Sequence, residues 1–184
     1  MKKYISILGS TGSIGLNVLK IVRKKKNLFQ VNLLAANKNL KLIYKQIEEF
    51  KPKIFIINDL KVCKIVKKKY KKNKIKIFNS FNFNNNILKK SDITIAAIPG
   101  IAGLDPTLRL IKKSKKILLA NKESIICGWN LIKKVSLKYN SKIIPIDSEH
   151  FSIMKLLENH KIESIKKIYL TASGGPFLNY KLSK

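Results

Sequence analysis

Tyr4-Ile5-Ser6-Ile7-Leu8-Gly9-Ser10-Thr11-Gly12-Ser13-Ile14-Gly15 runs from a short apolar stretch through a glycine loop into the first turn of a helix. An apolar run that stops at glycine reads as a buried strand, and Ile14, Val18, Leu19 and Val22 then recur at helical spacing. Three glycines at such a junction allow a tight turn, close approach of backbone to a pyrophosphate, and close contact of helix with strand. The helix N-terminus adds free N–H groups and a positive dipole end. The spacing is G-x-x-G-x-x-G, not the better-known G-x-G-x-x-G, so its weight comes from its place between strand and helix. An ordinary strand-to-helix turn reads the same way.

Outward from this loop the chain alternates. Apolar runs at Tyr4–Leu8, Val31–Ala36, Ile54–Ile57, Ile75–Phe78, Ile93–Ile98, Ile117–Ala120 and Lys142–Ile146 read as strands. Between them lie helical patterns at Leu40–Phe50, Val62–Lys71, Leu104–Ile111 and Ser124–Tyr139. This is the pattern of parallel strands with crossover helices, an α/β doubly wound, mostly parallel sheet of Rossmann-like type, expected over residues 1–145. From 146 to 184 the pattern changes to an acidic cluster, a helix (Phe151–Leu157), a strand (Ile168–Thr171) and a Ser-Gly-Gly loop, the start of a second, α+β domain.

The end of the second strand chooses between dinucleotides. Where an NAD enzyme places an acid for the ribose 2′-hydroxyl, this chain has Asn37-Lys38-Asn39. Amides and a cation suit a 2′-phosphate, so NADPH is expected over NADH. In a chain this rich in lysine, the missing carboxylate is the better argument.

The bulk numbers restrict the alternatives. Lys and Arg number 39 against 10 Asp and Glu, a formal charge of +29, which predicts salt-dependent sticking to polyanions. The excess is nearly all lysine and travels with Ile and Asn into loops such as Phe81-Asn82-Phe83-Asn84-Asn85-Asn86. That is the bias an A/T-rich coding sequence imposes, and no element gathers the lysines between aromatics. Nucleic acid is therefore expected only as a nonspecific partner. No apolar run approaches the roughly 18–20 residues that cross a bilayer, and the N-terminus lacks the hydrophobic core of a secretory signal. Cys63 and Cys127 form no Cys-x-x-Cys pair, as in a reducing, cytoplasmic setting.

Three later motifs carry chemistry. Ala120-Asn121-Lys122-Glu123-Ser124 lies at a strand end, where doubly wound sheets bind ligands. Asn121 is placed for the nicotinamide side and Lys122 for an anionic substrate, although a plain helix start looks similar. Ile146-Asp147-Ser148-Glu149-His150 offers two carboxylates at i and i+2, the oxygen ligands that Mg²⁺ or Mn²⁺ wants. An acidic helix N-terminus is the competing description, with His150 a helix-start residue or a partner to a ligand. Thr171-Ala172-Ser173-Gly174-Gly175-Pro176-Phe177 reads as an anion-binding nest or a turn.

Together the segments 7–15, 118–124, 145–150 and 173–177, in this order, resemble the 1-deoxy-D-xylulose 5-phosphate reductoisomerase family. The resemblance implies that Thr11, Gly12, Ser13 and Ile14 hold the NADPH pyrophosphate and that Asn37, Lys38 and Asn39 surround the 2′-phosphate. Asn121 and Glu123 would line the cofactor site. Lys122, Ser148, Glu149 and Ser173 would contact the sugar phosphate. Asp147 and Glu149 would bind Mn²⁺ or Mg²⁺, with Co²⁺ a further option; these two and Lys122 would be the catalytic residues. Asn37 stands where the family commonly has glycine, and Pro99 lies in a loop that usually lacks proline. Members run well beyond this length, into a third carboxylate ligand, a lid and a helical domain. Little or no turnover is therefore expected of these residues alone. A homodimer or a complementing C-terminal half are the implied partners. Competing readings are a non-catalytic NADPH-binding remnant, a semialdehyde-type reductase (for which Cys127 has no supporting motif) and a nucleic-acid-binding protein.

Overall fold

The computed structural model describes residues 1–83 and 87–169. Two compact units divide the chain, Met1–Ile144 and Pro145–Lys184. Among the described residues, helices and strands follow in the order β1 (Lys3–Leu8), α1 (Ser13–Lys24), β2 (Phe29–Ala36), α2 (Leu40–Phe50), β3 (Ile54–Ile57), α3 (Leu60–Lys69), β4 (Lys76–Phe78), β5 (Ser91–Ala96), α4 (Leu104–Ile111), β6 (Ser114–Leu119), α5 (Lys122–Tyr139), β7 (Lys142–Pro145) and α6 (Ser148–Leu157). The strand order is β4-β3-β2-β1-β5-β6-β7, and every pairing from β4 through β6 is parallel. The order reverses between β1 and β5, which makes their carboxyl ends the switch point where such sheets bind ligands.

The central strands are buried on both faces, as parallel strands between helices must be. Ile7, Leu8, Leu33, Leu34, Ile54, Phe55, Ile57 and Ile117 are wholly inaccessible. Each such side chain contributes roughly 1.5–3 kcal/mol relative to exposure. A set of polar groups is buried among them. Ser6 and Ser91 hydroxyls lie 2.7 Å apart, Asn32 Nδ2 donates to Ser91 Oγ (3.0 Å), and the Thr94 and Ser114 hydroxyls meet at 2.6 Å. These bonds cross β2, β1, β5 and β6, satisfying groups that would otherwise be costly to bury.

Several element ends differ from the sequence expectation. The strand expected over Ile93–Ile98 is Ser91–Ala96; Ala97 N–H still reaches Leu8 O, but Pro99 has no N–H and Gly100 turns at φ +67°. The helix expected from Ser124 begins at Lys122 because Asn121 caps it, its Oδ1 accepting from Ser124 N–H at 2.9 Å. The one expected from Phe151 begins at Ser148, capped by Asp147. Of the strand expected over Ile168–Thr171, Ile168 and Tyr169 belong to no strand, and the rest lies outside the described residues. Among the described residues no helix is long and apolar enough to cross a membrane. Both cysteines are free, Cys63 buried and Cys127 exposed.

Candidate functional site

The glycine loop is pressed against its neighbours. Gly9 adopts φ +82°, and a Cβ there would stand 2.5 Å from Ala97 O, so only glycine lets the turn after β1 lie on the turn after β5. Gly9 and Ser10 N–H both donate to Ala35 O, at 2.9 and 2.8 Å, tying the loop to the end of β2. Gly12 is the N-cap of α1 and has no side-chain cap, so the helix's first N–H groups stay available. Gly12, Ser13 and Ile14 are exposed and Thr11 is half-buried. A positive helix end with open amides is a chemically suitable seat for a pyrophosphate.

A cleft of about 680 Å³ opens beside this loop. Gly9, Thr11 and Gly12 line it together with Ala36 and Asn37 from the end of β2 and Pro99 from the turn after β5. Its position is the switch point of the sheet, and its volume suits a large organic ligand. Asn37, Lys38 and Asn39 are exposed, and Asn39 caps α2 by accepting from Leu42 N–H at 3.1 Å. Asn37 does not take a positive φ, so its side chain brings no backbone strain where a glycine was expected. No carboxylate stands in Asn37–Asn39, and the cation there is Lys38.

Sequence reading missed part of this cleft. Phe81 and Asn82 line it, with Phe83 stacked on Phe78 at 5.0 Å behind them. So do Asp105 and Arg109, joined by hydrogen bonds of 3.0 and 2.8 Å across one turn of α4. Their i, i+4 spacing was legible, but it signals only a helix surface pair. The asparagine-rich loop gave no signal at all.

Asn121, expected at the nicotinamide side of the cofactor, has its side chain turned onto the loop after β5. It is 3% exposed; Nδ2 donates to Ile98 O (2.5 Å) and Gly100 O (2.7 Å), while Oδ1 caps α5. Both amide hydrogens are thus engaged in holding the turn that walls the cleft, and the oxygen in capping the helix. Lys122 and Glu123 are exposed in the first turn of α5.

In the second unit, Asp147 caps α6 and Glu149 lies in its first turn. Asp147 Oδ1 accepts from His150 N–H at 3.0 Å and meets His150 Nδ1 at 2.6 Å. Burial raises the Asp147 pKa, but the His150 backbone and ring bonds outweigh it and hold the carboxyl below its usual range. Its Oδ2 is buried and has no hydrogen-bond partner among the described residues. An ionised carboxylate with one oxygen orphaned is the state a hard cation would satisfy, so this donor fits a divalent metal. Glu149 Oε2 accepts from the Ser148 hydroxyl at 2.9 Å. Among the described residues no three His, Cys, Asp or Glu side chains converge as a metal site. Ser173 and the 171–177 loop lie outside the described residues.

Known proteins match this architecture. The family profile for 1-deoxy-D-xylulose 5-phosphate reductoisomerase matches residues 5–128, and that for its C-terminal domain matches residues 143–184. A 1-deoxy-D-xylulose 5-phosphate reductoisomerase of Pelagibacter ubique is 50% identical over 185 residues, covering 99% of this chain and 48% of that protein. The structure of the Zymomonas mobilis reductoisomerase with NADPH superposes with a TM-score of 0.86 at 30% identity, over 98% of this chain and 48% of that one. A reductoisomerase solved with NADPH, fosmidomycin and magnesium gives a TM-score of 0.84 at 32% identity, over 97% of this chain and 47% of that one. The chain thus spans about half the length of the relatives it matches.

Proposed function

The chain belongs to the 1-deoxy-D-xylulose 5-phosphate reductoisomerase family, and on that premise we propose that residues 1–145 bind NADPH and residues 146–184 begin its metal- and substrate-binding catalytic domain. The activity served is the rearrangement and reduction of 1-deoxy-D-xylulose 5-phosphate to 2-C-methyl-D-erythritol 4-phosphate, a step toward isoprenoids. One observation carries the cofactor reading: Thr11, Gly12 and Asn37, from the ends of β1 and β2, line one cleft at the sheet's switch point. The two similar structures solved with NADPH support it.

Each group has a physical task. Thr11, Gly12, Ser13 and Ile14 hold the pyrophosphate at the α1 N-terminus, Gly12 by leaving room for it, since its own N–H donates to Gly9 O at 3.1 Å. Asn37, Lys38 and Asn39 receive the 2′-phosphate by hydrogen bonds and charge. Asn121 fixes the wall at Ile98–Gly100, and Glu123 stands at the cofactor side. Asp147 and Glu149 hold Mn²⁺ or Mg²⁺, with His150 orienting Asp147 as an outer partner. Lys122, Ser148, Glu149 and Ser173 bind the sugar phosphate. When bound, NADPH supplies the reducing equivalent and the cation polarises the substrate's oxygens. Two carboxylates would leave further oxygen ligands to be supplied by substrate, water and at least one group outside the described residues, which a complementing C-terminal half would bring. A non-catalytic NADPH-binding module is the second reading, favoured by the cleft's being lined entirely by residues of the first unit.

Calorimetry of the purified chain in about 0.3 M salt, which suppresses nonspecific adherence, tests the cofactor reading. NADPH is expected to bind about tenfold or more tightly than NADH. Lys38→Ala should erase that difference, whereas Lys116→Ala, on exposed β6 surface, should leave it. Equal affinity for the two dinucleotides would contradict the reading.

A further inference from the structure

One buried polar contact in the first unit is not explained by any role assigned so far. Gln46, on the core-facing side of α2, is 3% exposed, and Ser10 in the glycine loop is wholly buried. The Ser10 hydroxyl donates to Gln46 Oε1 at 2.7 Å, and Gln46 Nε2 donates to Ser10 O at 2.9 Å. Its neighbours on this face, Ile43 and Ile47, are apolar. Burying an amide there is costly unless both ends are bonded, and an apolar pair would fill the space as well. What an apolar pair lacks is direction.

Direction matters at this peptide. A trans amide points C=O and N–H to opposite sides, so turning the Ser10 carbonyl onto Gln46 aims the Thr11 N–H away from it. Thr11 lines the cleft. The same helix starts at Leu40, directly after Asn37-Lys38-Asn39, and Gln46 stands six residues further, about 9 Å along the axis. One rigid element therefore touches both places where phosphates are expected.

We infer that Gln46 is a positioning residue that clasps Ser10, orients the Thr11 amide toward the pyrophosphate, and sets its spacing from the 2′-phosphate seat at the N-terminus of α2. The inference rests on the dinucleotide reading given above. It makes NADPH affinity depend on a side chain that does not line the cleft. It also predicts that a ligand using only the 2′-phosphate seat is insensitive to it.

The test compares NADPH with 2′-AMP, which carries only the adenosine and 2′-phosphate, on the whole 184-residue chain. Gln46→Leu keeps the volume and removes both bonds; it should weaken NADPH about tenfold or more while 2′-AMP stays within about threefold. Ser10→Ala removes one bond and should cause a smaller NADPH loss. The double variant should be no worse than Gln46→Leu, because the pair acts as a unit. If Gln46→Leu does not fold, Gln46→Met, unbranched like glutamine and without the amide, should show the same split between ligands. Parallel loss of both ligands, or no loss of NADPH, overturns the clasp while leaving the cofactor reading intact. A wild-type chain that binds no NADPH sinks the cofactor reading and the clasp with it.

Discussion

Alanine at Gly9 and alanine at Gly12 should fail in opposite ways. At Gly9 the new Cβ would lie 2.5 Å from Ala97 O, 2.9 Å from the Ala97 carbonyl carbon and 3.2 Å from Ile98 N, all backbone atoms. The positive φ costs about 1–3 kcal/mol for a side chain, and forcing apart two packed turns adds about 1–3 kcal/mol. A loss of about 2–6 kcal/mol is a large share of the 5–15 kcal/mol typical of a domain. Gly12 has φ −80° and ψ 171°, and a Cβ there would meet only Gly9 O at 3.4 Å. A smaller unfolded-state entropy and a poorer N-cap nearly offset each other, leaving stability within about 1 kcal/mol. The methyl does, however, stand at the open end of α1, where a pyrophosphate must approach the amides, so NADPH affinity should fall about tenfold or more. Urea unfolding followed by far-ultraviolet circular dichroism reads the first effect, and calorimetric titration with NADPH the second. The reasoning fails if Gly9→Ala unfolds at the wild-type midpoint, or if Gly12→Ala is destabilised yet binds normally.

Three further outcomes are expected. Asp92 is paired with Lys115 (2.7 Å) and accepts from Tyr4 N–H (2.8 Å); chiefly the lysine, then the amide, hold its carboxyl below the ordinary range despite partial burial. Its stabilisation is complete above the unfolded aspartate range and lost as pH falls through the lower folded value, so Asp92→Asn should flatten the acid side of the stability curve in urea titrations; an unchanged slope contradicts this. Asp147→Asn keeps the cap on α6 but removes the charge, so Mn²⁺ binding by the wild-type chain, on the order of millimolar for two carboxylates, should disappear in electron paramagnetic resonance titrations while helicity is retained. The 184-residue chain given NADPH, Mn²⁺ and 1-deoxy-D-xylulose 5-phosphate should show little or no fall in absorbance at the reduced-nicotinamide band; brisk oxidation would show that the carboxylates described here suffice.

The sheet was legible because burial on both faces leaves a local mark. Val31–Ala36, Asn32 apart, and Ile54–Ile57 are apolar whichever way they face, and Leu40–Phe50 and Leu104–Ile111 carry their own helical periodicity. Strand ends were less so, since Ala97 hydrogen-bonds to a strand 89 residues away and only Pro99 and Gly100 mark the exit locally. The phosphate loop could be read because its chemistry is contiguous. Phe81, Asp105 and Arg109 could not, because the cleft they line exists only once β4, β5 and α4 are assembled. Gln46 left a faint trace, an amide among the apolar positions of α2, but its meaning lies in a loop 36 residues earlier. Asn121 shows the reverse: its motif was plain, and the bonds that occupy its side chain were not.

The place of β1 in the sheet has a consequence for how the protein is made. It leaves the ribosome before the other described strands, yet its second neighbour, β5, begins at Ser91. At about 5–20 residues per second, on the order of ten seconds pass with one flank of the nascent sheet open to strangers. Such an edge invites strand addition from other chains. The residues made in that interval, 1–90, carry 23 Lys and Arg against 3 Asp and Glu, so identical nascent segments repel each other while the edge is open.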